Sequence, residues 1–347
     1  MEPSYDSLIL QYYHTNYTTC PKDTSYFSTW QFLATFTHSI MIIQIPLVIL
    51  TGYCILKKTP RAMGSLKWAM LNVHIWSTYM DILVCSLITP YIFFPAVGGT
   101  SLGLLQVLGV PAAIQTFVGI VSMGVMLSSI AALFENRSSS FEMNRFRLKR
   151  NSTRVGVFIL NVVLFTGCLV PVFLNLPDQS SAMYGWLIRV LKCPTEEYFT
   201  SPVFFLVKET FWGIYIAIVI AFEFCFTILL AIFFILCTWY YMFFSKHVPY
   251  SPGTRKLQKM FFVGNLIQIA IPALFWAVPF AAILTFRGLQ FYNQSIINIG
   301  MCFISLHGLA AMIVVLTIHK PYRSFVTSVF DRKTTGKVTS KSNSVLV

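Results

Sequence analysis

Ionisable side chains interrupt long apolar stretches of the sequence and are the first candidates for chemistry, among them His38 in the first stretch. Asp81 and Glu223 lie well inside two such stretches, His307 lies inside the last one, and Trp276 lies in the stretch before it. If these stretches cross a membrane, ionisable groups inside them are costly and indicate a ligand, ion or proton site. These ionisable residues are therefore candidates for ligand contact, a cation site or a protonation switch, and Trp276 is a further candidate for ligand contact or a switch. The alternative is that each side chain is hydrogen-bonded within a helix bundle, the acids being neutral.

No motif for enzymatic chemistry accompanies these side chains. The sequence has no His-Glu-x-x-His zinc motif, no phosphate-binding loop and no Cys-x-x-Cys pair. We therefore predict no catalytic residues, no cofactor and no metal site.

The composition predicts that the apolar stretches cross a membrane. Of 347 residues, 56% are hydrophobic and only 11% are charged, and the mean hydropathy is +0.69, whereas soluble domains have about 25% charged residues. A helix crosses a bilayer with about 20 apolar residues. We predict seven such spans, at residues 30–56, 70–94, 107–133, 155–176, 203–244, 260–286 and 292–318. The predicted fold is an all-α, seven-transmembrane helix bundle.

Basic residues are distributed unequally between the two sides of this bundle. Of the 25 Lys and Arg residues, 20 follow spans 1, 3, 5 and 7, and 5 lie before span 1 or after spans 2, 4 and 6. Because basic loops stay in the cytosol, we expect the N-terminus outside and the C-terminus in the cytosol. The net charge of +13 is then explained by topology, and no nucleic-acid partner is predicted.

Three regions follow from this topology. Residues 1–29 form an extracellular arm, residues 30–320 the transmembrane domain, and residues 321–347 a cytosolic tail. Four apolar side chains of the tail share one helical face, which predicts a short helix on the membrane surface followed by a disordered end. These are Phe325, Val326, Val329 and Phe330.

The arm carries two further sites. Asn16 begins an Asn-Tyr-Thr glycosylation sequon. Cys20 and Cys193 are the cysteines predicted to face the oxidising side, so we expect a disulfide between them. The alternative is two free or separately paired thiols.

Glu135, Asn136 and Arg137 stand at the cytosolic end of span 3. Glu135 and Arg137 are two residues apart and do not face each other on an ideal helix. Each is therefore expected to pair with another helix or with a partner protein. The alternative is an ordinary pair of interfacial charges.

Several short stretches, in order along the chain, resemble one receptor family. They are residues 52–60, 71–77, 133–137, 177–179, 254–259, 307–308 and 319–323. In these stretches the sequence resembles the nematode serpentine receptor class H family of chemoreceptors, over about residues 20–323.

The resemblance implies a G-protein-coupled receptor for sensory perception, in the plasma membrane of the sensory endings of chemosensory neurons. A small molecule would bind from outside, among spans 3, 5, 6 and 7, and a heterotrimeric G protein would couple inside. Glu135, Asn136 and Arg137 then stand where other receptors carry an activation motif. The stretch after span 7 is assigned to coupling as well; its residues are His319, Pro321, Tyr322 and Arg323.

Two other functions fit a seven-span protein. A ligand-gated ion channel subunit is one, although the charge distribution opposes the inverted topology of such channels. A small-solute transporter is the other, although the sequence shows no internal repeat.

Overall fold

The chain folds into a bundle of long helices with a small sheet at one end. The computed structural model describes residues 3–21, 24–208, 210–244, 252–289 and 291–329. Within these ranges seven helical segments form the bundle, and we number them span 1 to span 7. They are Trp30–Lys58, Gly64–Ile82, Ala112–Ser139, Asn151–Leu174, Thr210–Phe243, Pro252–Gly288 and the broken pair Gln294–Ser305 and His307–Ile318. The predicted fold class, a seven-transmembrane helix bundle, is confirmed.

Span 2 differs from the other six. Six helices among the described residues are long and apolar enough to cross a membrane, and Gly64–Ile82 is not among them. Polar groups such as Lys67, His74 and Asp81 lower its hydropathy. The predicted bounds of 70–94 are wrong, because the helix begins at Gly64 and ends in a π-helical turn at Leu83–Leu87.

A three-stranded antiparallel sheet takes the place of the predicted second half of span 2. Its strands are β1 (Pro90–Ile92), β2 (Gly98–Ser101) and β3 (Phe204–Phe205), in the order β1-β2-β3. Pro90 cannot continue the helix. Gly98 and Gly99 let the strands pack closely, since a Cβ at these positions would overlap the Phe205 ring and the Tyr91 carbonyl. We call this end of the bundle the arm end and the opposite end the basic end.

The arm is folded onto the arm end. Its main helix, Tyr5–His14, is capped by Ser4, whose hydroxyl oxygen accepts a hydrogen bond from the Ser7 amide at 3.3 Å. The Tyr12 hydroxyl donates to the Lys192 carbonyl at 2.7 Å. Shorter helices and turns complete the described chain: Tyr17–Thr19, Tyr26–Ser28, Arg61–Met63, Leu104–Val107, Gln179–Trp186, Leu187–Leu191 and Glu197–Thr200.

Spans 3 and 7 lie at the centre of the bundle. More than half of their apolar windows is buried, against less than a quarter in spans 1, 4 and 5. One apolar cluster occupies the arm half, around Tyr91, Met123 and Met301. A second occupies the basic half, around Leu133 and Phe261. Apolar burial of this kind positions the polar groups that lie between the clusters.

The predicted helix after span 7 is present over residues 320–329. The Lys58 ammonium lies 4.1 Å from the centroid of the Phe325 ring. The hydroxyls of Thr59 and Tyr322 are hydrogen-bonded at 2.6 Å. Phe330 and the predicted disordered end, residues 331–347, lie outside the described residues.

Candidate functional site

Asp81 and His307 meet in the middle of the bundle. Each is 1% exposed, and His307 Nδ1 lies 3.3 Å from Asp81 Oδ1. The same nitrogen lies 2.9 Å from the Ile304 carbonyl oxygen. The Gly308 backbone lies directly against the Asp81 carboxylate, so closely that a Cβ at this position would overlap it. Burial in the apolar bundle makes these contacts strong, because water does not compete for them.

The contact coincides with a break in span 7. The helix is interrupted at Leu306, between Gln294–Ser305 and His307–Ile318. Gln44 of span 1 donates to the Ser305 carbonyl at 3.3 Å. Since unsatisfied carbonyls are costly inside a membrane, side chains of spans 1 and 2 stabilise the break. The Trp276 ring of span 6 lies edge-on to His307 with centroids 5.6 Å apart.

Glu223 belongs to a separate polar cluster among spans 3, 4 and 5. Asn161 donates to Glu223 Oε1 at 3.0 Å and to the Ser128 hydroxyl at 2.6 Å. Thr227 donates to the same carboxylate oxygen at 3.3 Å. Glu223 is 4% exposed. Asn161 joins it to Ser128, so the cluster connects spans 3, 4 and 5. The structure does not bring Glu223 into the Asp81–His307 contact.

Glu135 joins span 3 to span 4 at the basic end. Arg154 Nε donates to Glu135 Oε2 at 2.8 Å. The hydroxyl of Ser139 donates to the other oxygen at 2.5 Å, and that hydroxyl accepts from the Leu148 amide at 3.2 Å. The carboxylate therefore fixes the loop between the two spans.

Arg137 joins span 3 to span 6. It is 3% exposed, and its Nη2 donates to the Gln258 carbonyl at 2.6 Å. A short bond from a charged donor is among the stronger hydrogen bonds in proteins. Asn136, between the two charged residues, is half-buried. Glu135 and Arg137 thus contact two different helices.

The residues after span 7 are divided between interior and surface. His319 and Tyr322 are fully buried, and both rings pack on Phe261 of span 6. Pro321 is half-buried and Arg323 is exposed. His319 and Tyr322 anchor the tail helix, whereas Arg323 is the one of the four that a partner can reach in this conformation.

The arm-end residues lie together. A disulfide joins Cys20 to Cys193, with the Cα atoms 5.6 Å apart. Asn16 is exposed on the arm, four residues before the bridge. The bridge holds the arm against the loop between spans 4 and 5.

One motif escaped the sequence analysis. Gly99-Thr100-Ser101-Leu102-Gly103 has the Gly-x-Ser-x-Gly spacing of a serine nucleophile elbow. In the structure Ser101 ends strand β2 and its hydroxyl donates to the Ile88 carbonyl. The motif does not form the strand–turn–helix elbow, because a short hairpin sheet precedes it and a four-residue helix follows at Leu104–Val107. Within the described part of the chain, no three His, Cys, Asp or Glu side chains could hold a metal ion.

The sequence analysis also missed the residues that the candidate side chains contact on neighbouring helices. Asn161 is a polar residue inside an apolar stretch, and that signal was available in the sequence. Gln258 contributes its backbone carbonyl, which no residue type reveals. Their roles depend on which helices are neighbours, and hydropathy does not specify this.

Comparison with known proteins agrees with this architecture. Residues 28–332 match the sequence model of the family described as serpentine type 7TM GPCR chemoreceptor Srh. The chain is also similar to serpentine receptor class H-72 of Caenorhabditis elegans, with 32% identity over 324 residues and 92% of each chain covered. The family predicted from the motifs is therefore confirmed: the chain belongs to the serpentine receptor class H family of multi-pass membrane chemoreceptors.

Proposed function

We propose that this chemosensory receptor is activated by a small molecule from the outer side of the membrane and signals to a heterotrimeric G protein in the cytosol. The arm end then faces outward and the basic end faces the cytosol. The plasma membrane of sensory endings is the proposed location. Family membership supports the class of protein, and the charge distribution supports the orientation.

The observation that carries the signalling proposal is the bond between Arg137 and the Gln258 carbonyl. It connects the central helix to span 6 at the basic end. If the inner ends of the helices part on activation, span 6 leaves span 3 and this bond breaks. The released guanidinium then becomes available to a partner protein.

The Glu135–Arg154 pair acts differently. It connects span 3 to span 4 and to the loop between them, so movement of span 6 leaves it intact. In this proposal Glu135 keeps Arg137 in position on span 3. Asn136 and Arg323 offer polar contacts to the G protein beside the gap that opens between spans 3 and 6.

The test is nucleotide exchange on a purified heterotrimeric G protein, measured with membranes that contain the receptor. Wild-type membranes should raise exchange above receptor-free membranes. Arg137→Ala should remove most of this increase at equal surface expression, because the open receptor then lacks the guanidinium that would bind the G protein. A hydrogen bond from that charged group to the partner would contribute about 1.5–3 kcal/mol, or roughly tenfold or more in coupling.

Arg189→Ala is the matched control, because it makes the same change at an exposed site of the arm end. It should leave exchange unchanged. Equal exchange by wild type and Arg137→Ala would defeat the proposed role of Arg137.

A further inference from the structure

A cavity of about 360 Å³ lies between spans 2 and 3, within the membrane-crossing part of the bundle. Its volume is at the small end of the range for ligand cavities in proteins, about 300–1,000 Å³. The lining contains no charged side chain. It consists of Ile75, Trp76, Tyr79, Val121, Ser122 and Val125. Ile75 is 54% exposed on the outer surface of the bundle, so the cavity opens sideways toward lipid.

Three polar groups of the lining have no hydrogen-bond partner within the described part of the chain. They are the Trp76 indole N–H, the Tyr79 hydroxyl and the Ser122 hydroxyl. Ser129, two turns further along span 3, differs because its hydroxyl donates to the Val125 carbonyl at 2.8 Å. Polar groups away from water are costly without a hydrogen bond. A ligand with a hydrogen-bonding group would supply it here.

The arm end of the bundle is closed above this level. The side chains of Tyr91, Phe93 and Tyr198 are fully buried beneath the sheet. The Tyr91 hydroxyl donates to the Ser28 carbonyl at 2.6 Å, and the Tyr198 hydroxyl donates to the Met183 carbonyl at 2.7 Å. In this conformation a molecule can reach the cavity through its sideways opening, whereas the closed arm end offers no route.

We propose that this cavity binds a small, neutral, lipophilic molecule with one hydrogen-bonding group, such as an aliphatic alcohol or ketone, which enters from the bilayer between spans 2 and 3. This deepens the proposed function, on which it rests, by naming the ligand class and a site outside the predicted group of spans 3, 5, 6 and 7. A phospholipid acyl chain is a poorer occupant, because it would leave the three polar groups unpaired.

The experiment is photolabelling of the purified full chain in lipid nanodiscs with an octanol that carries a diazirine. Peptide mapping should place the label on residues 75–79 and 121–125, and excess 1-octanol should compete. Ser122→Ala should weaken this competition about fivefold, the effect of one lost hydrogen bond. Val121→Trp should abolish the label by filling the cavity.

Two matched controls isolate the cavity. Ser129→Ala removes a hydroxyl bonded within its own helix, and Val163→Trp adds the same bulk at an exposed position of span 4. Both variants should be labelled by the diazirine probe to the same extent as the wild type. Uniform labelling of lipid-facing helices would overturn the proposal, and so would equal labelling by a phospholipid whose acyl chain carries a diazirine. Either result would leave the nucleotide-exchange test of the proposed function standing.

Discussion

Replacing Gly308 with alanine tests whether span 2 determines the geometry of span 7. A Cβ at Gly308 would overlap both carboxylate oxygens and Cγ of Asp81. The Asp81 side chain is 1% exposed, so it has no solvent to move into. Either the carboxylate moves away and loses its contact with His307, or the two helices move apart.

The expected cost follows from these two effects. Overpacking a tight contact costs about 1–3 kcal/mol, and leaving a buried polar group without its partner costs about 1–3 kcal/mol. If both effects apply, they amount to about 2–6 kcal/mol. This lowers the thermal midpoint by roughly 3–8 °C, since a chain of 347 residues has an unfolding entropy of about 0.7 kcal/mol/K. In an unconstrained helix the same substitution would stabilise by up to about 1 kcal/mol.

The assay is thermal unfolding of the detergent-solubilised receptor, followed by the loss of monodisperse protein. Gly300→Ala is the control on the same span, because its Cβ would lie 3.6 Å from the Pro279 Cβ, an ordinary contact. Asp81→Ala combined with Gly308→Ala should cost less than the sum of the two single changes, since the overlapping oxygens are gone. Equal midpoints for Gly308→Ala and Gly300→Ala would refute the reasoning, as would strict additivity in the double variant.

Two further predictions concern the ends of the bundle. Replacing Cys20 and Cys193 by serine should raise protease cleavage of the arm roughly tenfold or more, since a disulfide typically contributes about 2–4 kcal/mol. Cys168→Ser is the control. Unchanged cleavage of the variant that lacks both cysteines would show that the arm is held without the bridge. His319 lies one residue beyond span 7, stacked on Phe261, and burial lowers its pKa to about 4 from 6.5. Its neutral form is favoured in the fold, so the stabilisation is complete above pH 6.5 and is lost as the pH falls toward 4, by about 2 kcal/mol at pH 5. His319→Phe should remove this part of the pH dependence of thermal unfolding. Identical pH profiles of the wild type and the variant would contradict this prediction.

The end of span 2 shows why hydropathy alone gave wrong bounds. Residues 88–94 are as apolar as a membrane helix, yet they turn into strand β1. Apolar content cannot distinguish a lipid-facing helix from a strand buried under a folded arm. The local signal was Thr89 before Pro90, because a residue before proline disfavours the α conformation. In the structure Thr89 does leave the α conformation, but with a φ of 45° it lies in the left-handed region and not in the extended region usual before proline.

The break in span 7 shows a second limit. His307 was visible in the sequence as an ionisable residue inside an apolar stretch, but the break beside it depends on contacts with Asp81 and Gln44 of other helices. The two-residue spacing of Glu135 and Arg137 indicated that they do not pair with each other. Their partners, Arg154 and the Gln258 carbonyl, follow from helix packing.

The sidedness of the two chain ends tests the proposed function most directly, because G-protein coupling depends on it. Antibody access to an epitope tag at each terminus would be measured on intact and on permeabilised cells. We expect the N-terminal tag to be accessible on intact cells and the C-terminal tag only after permeabilisation. Access to the C-terminal tag on intact cells would contradict the proposed function, since the basic end would then face outward, away from any G protein.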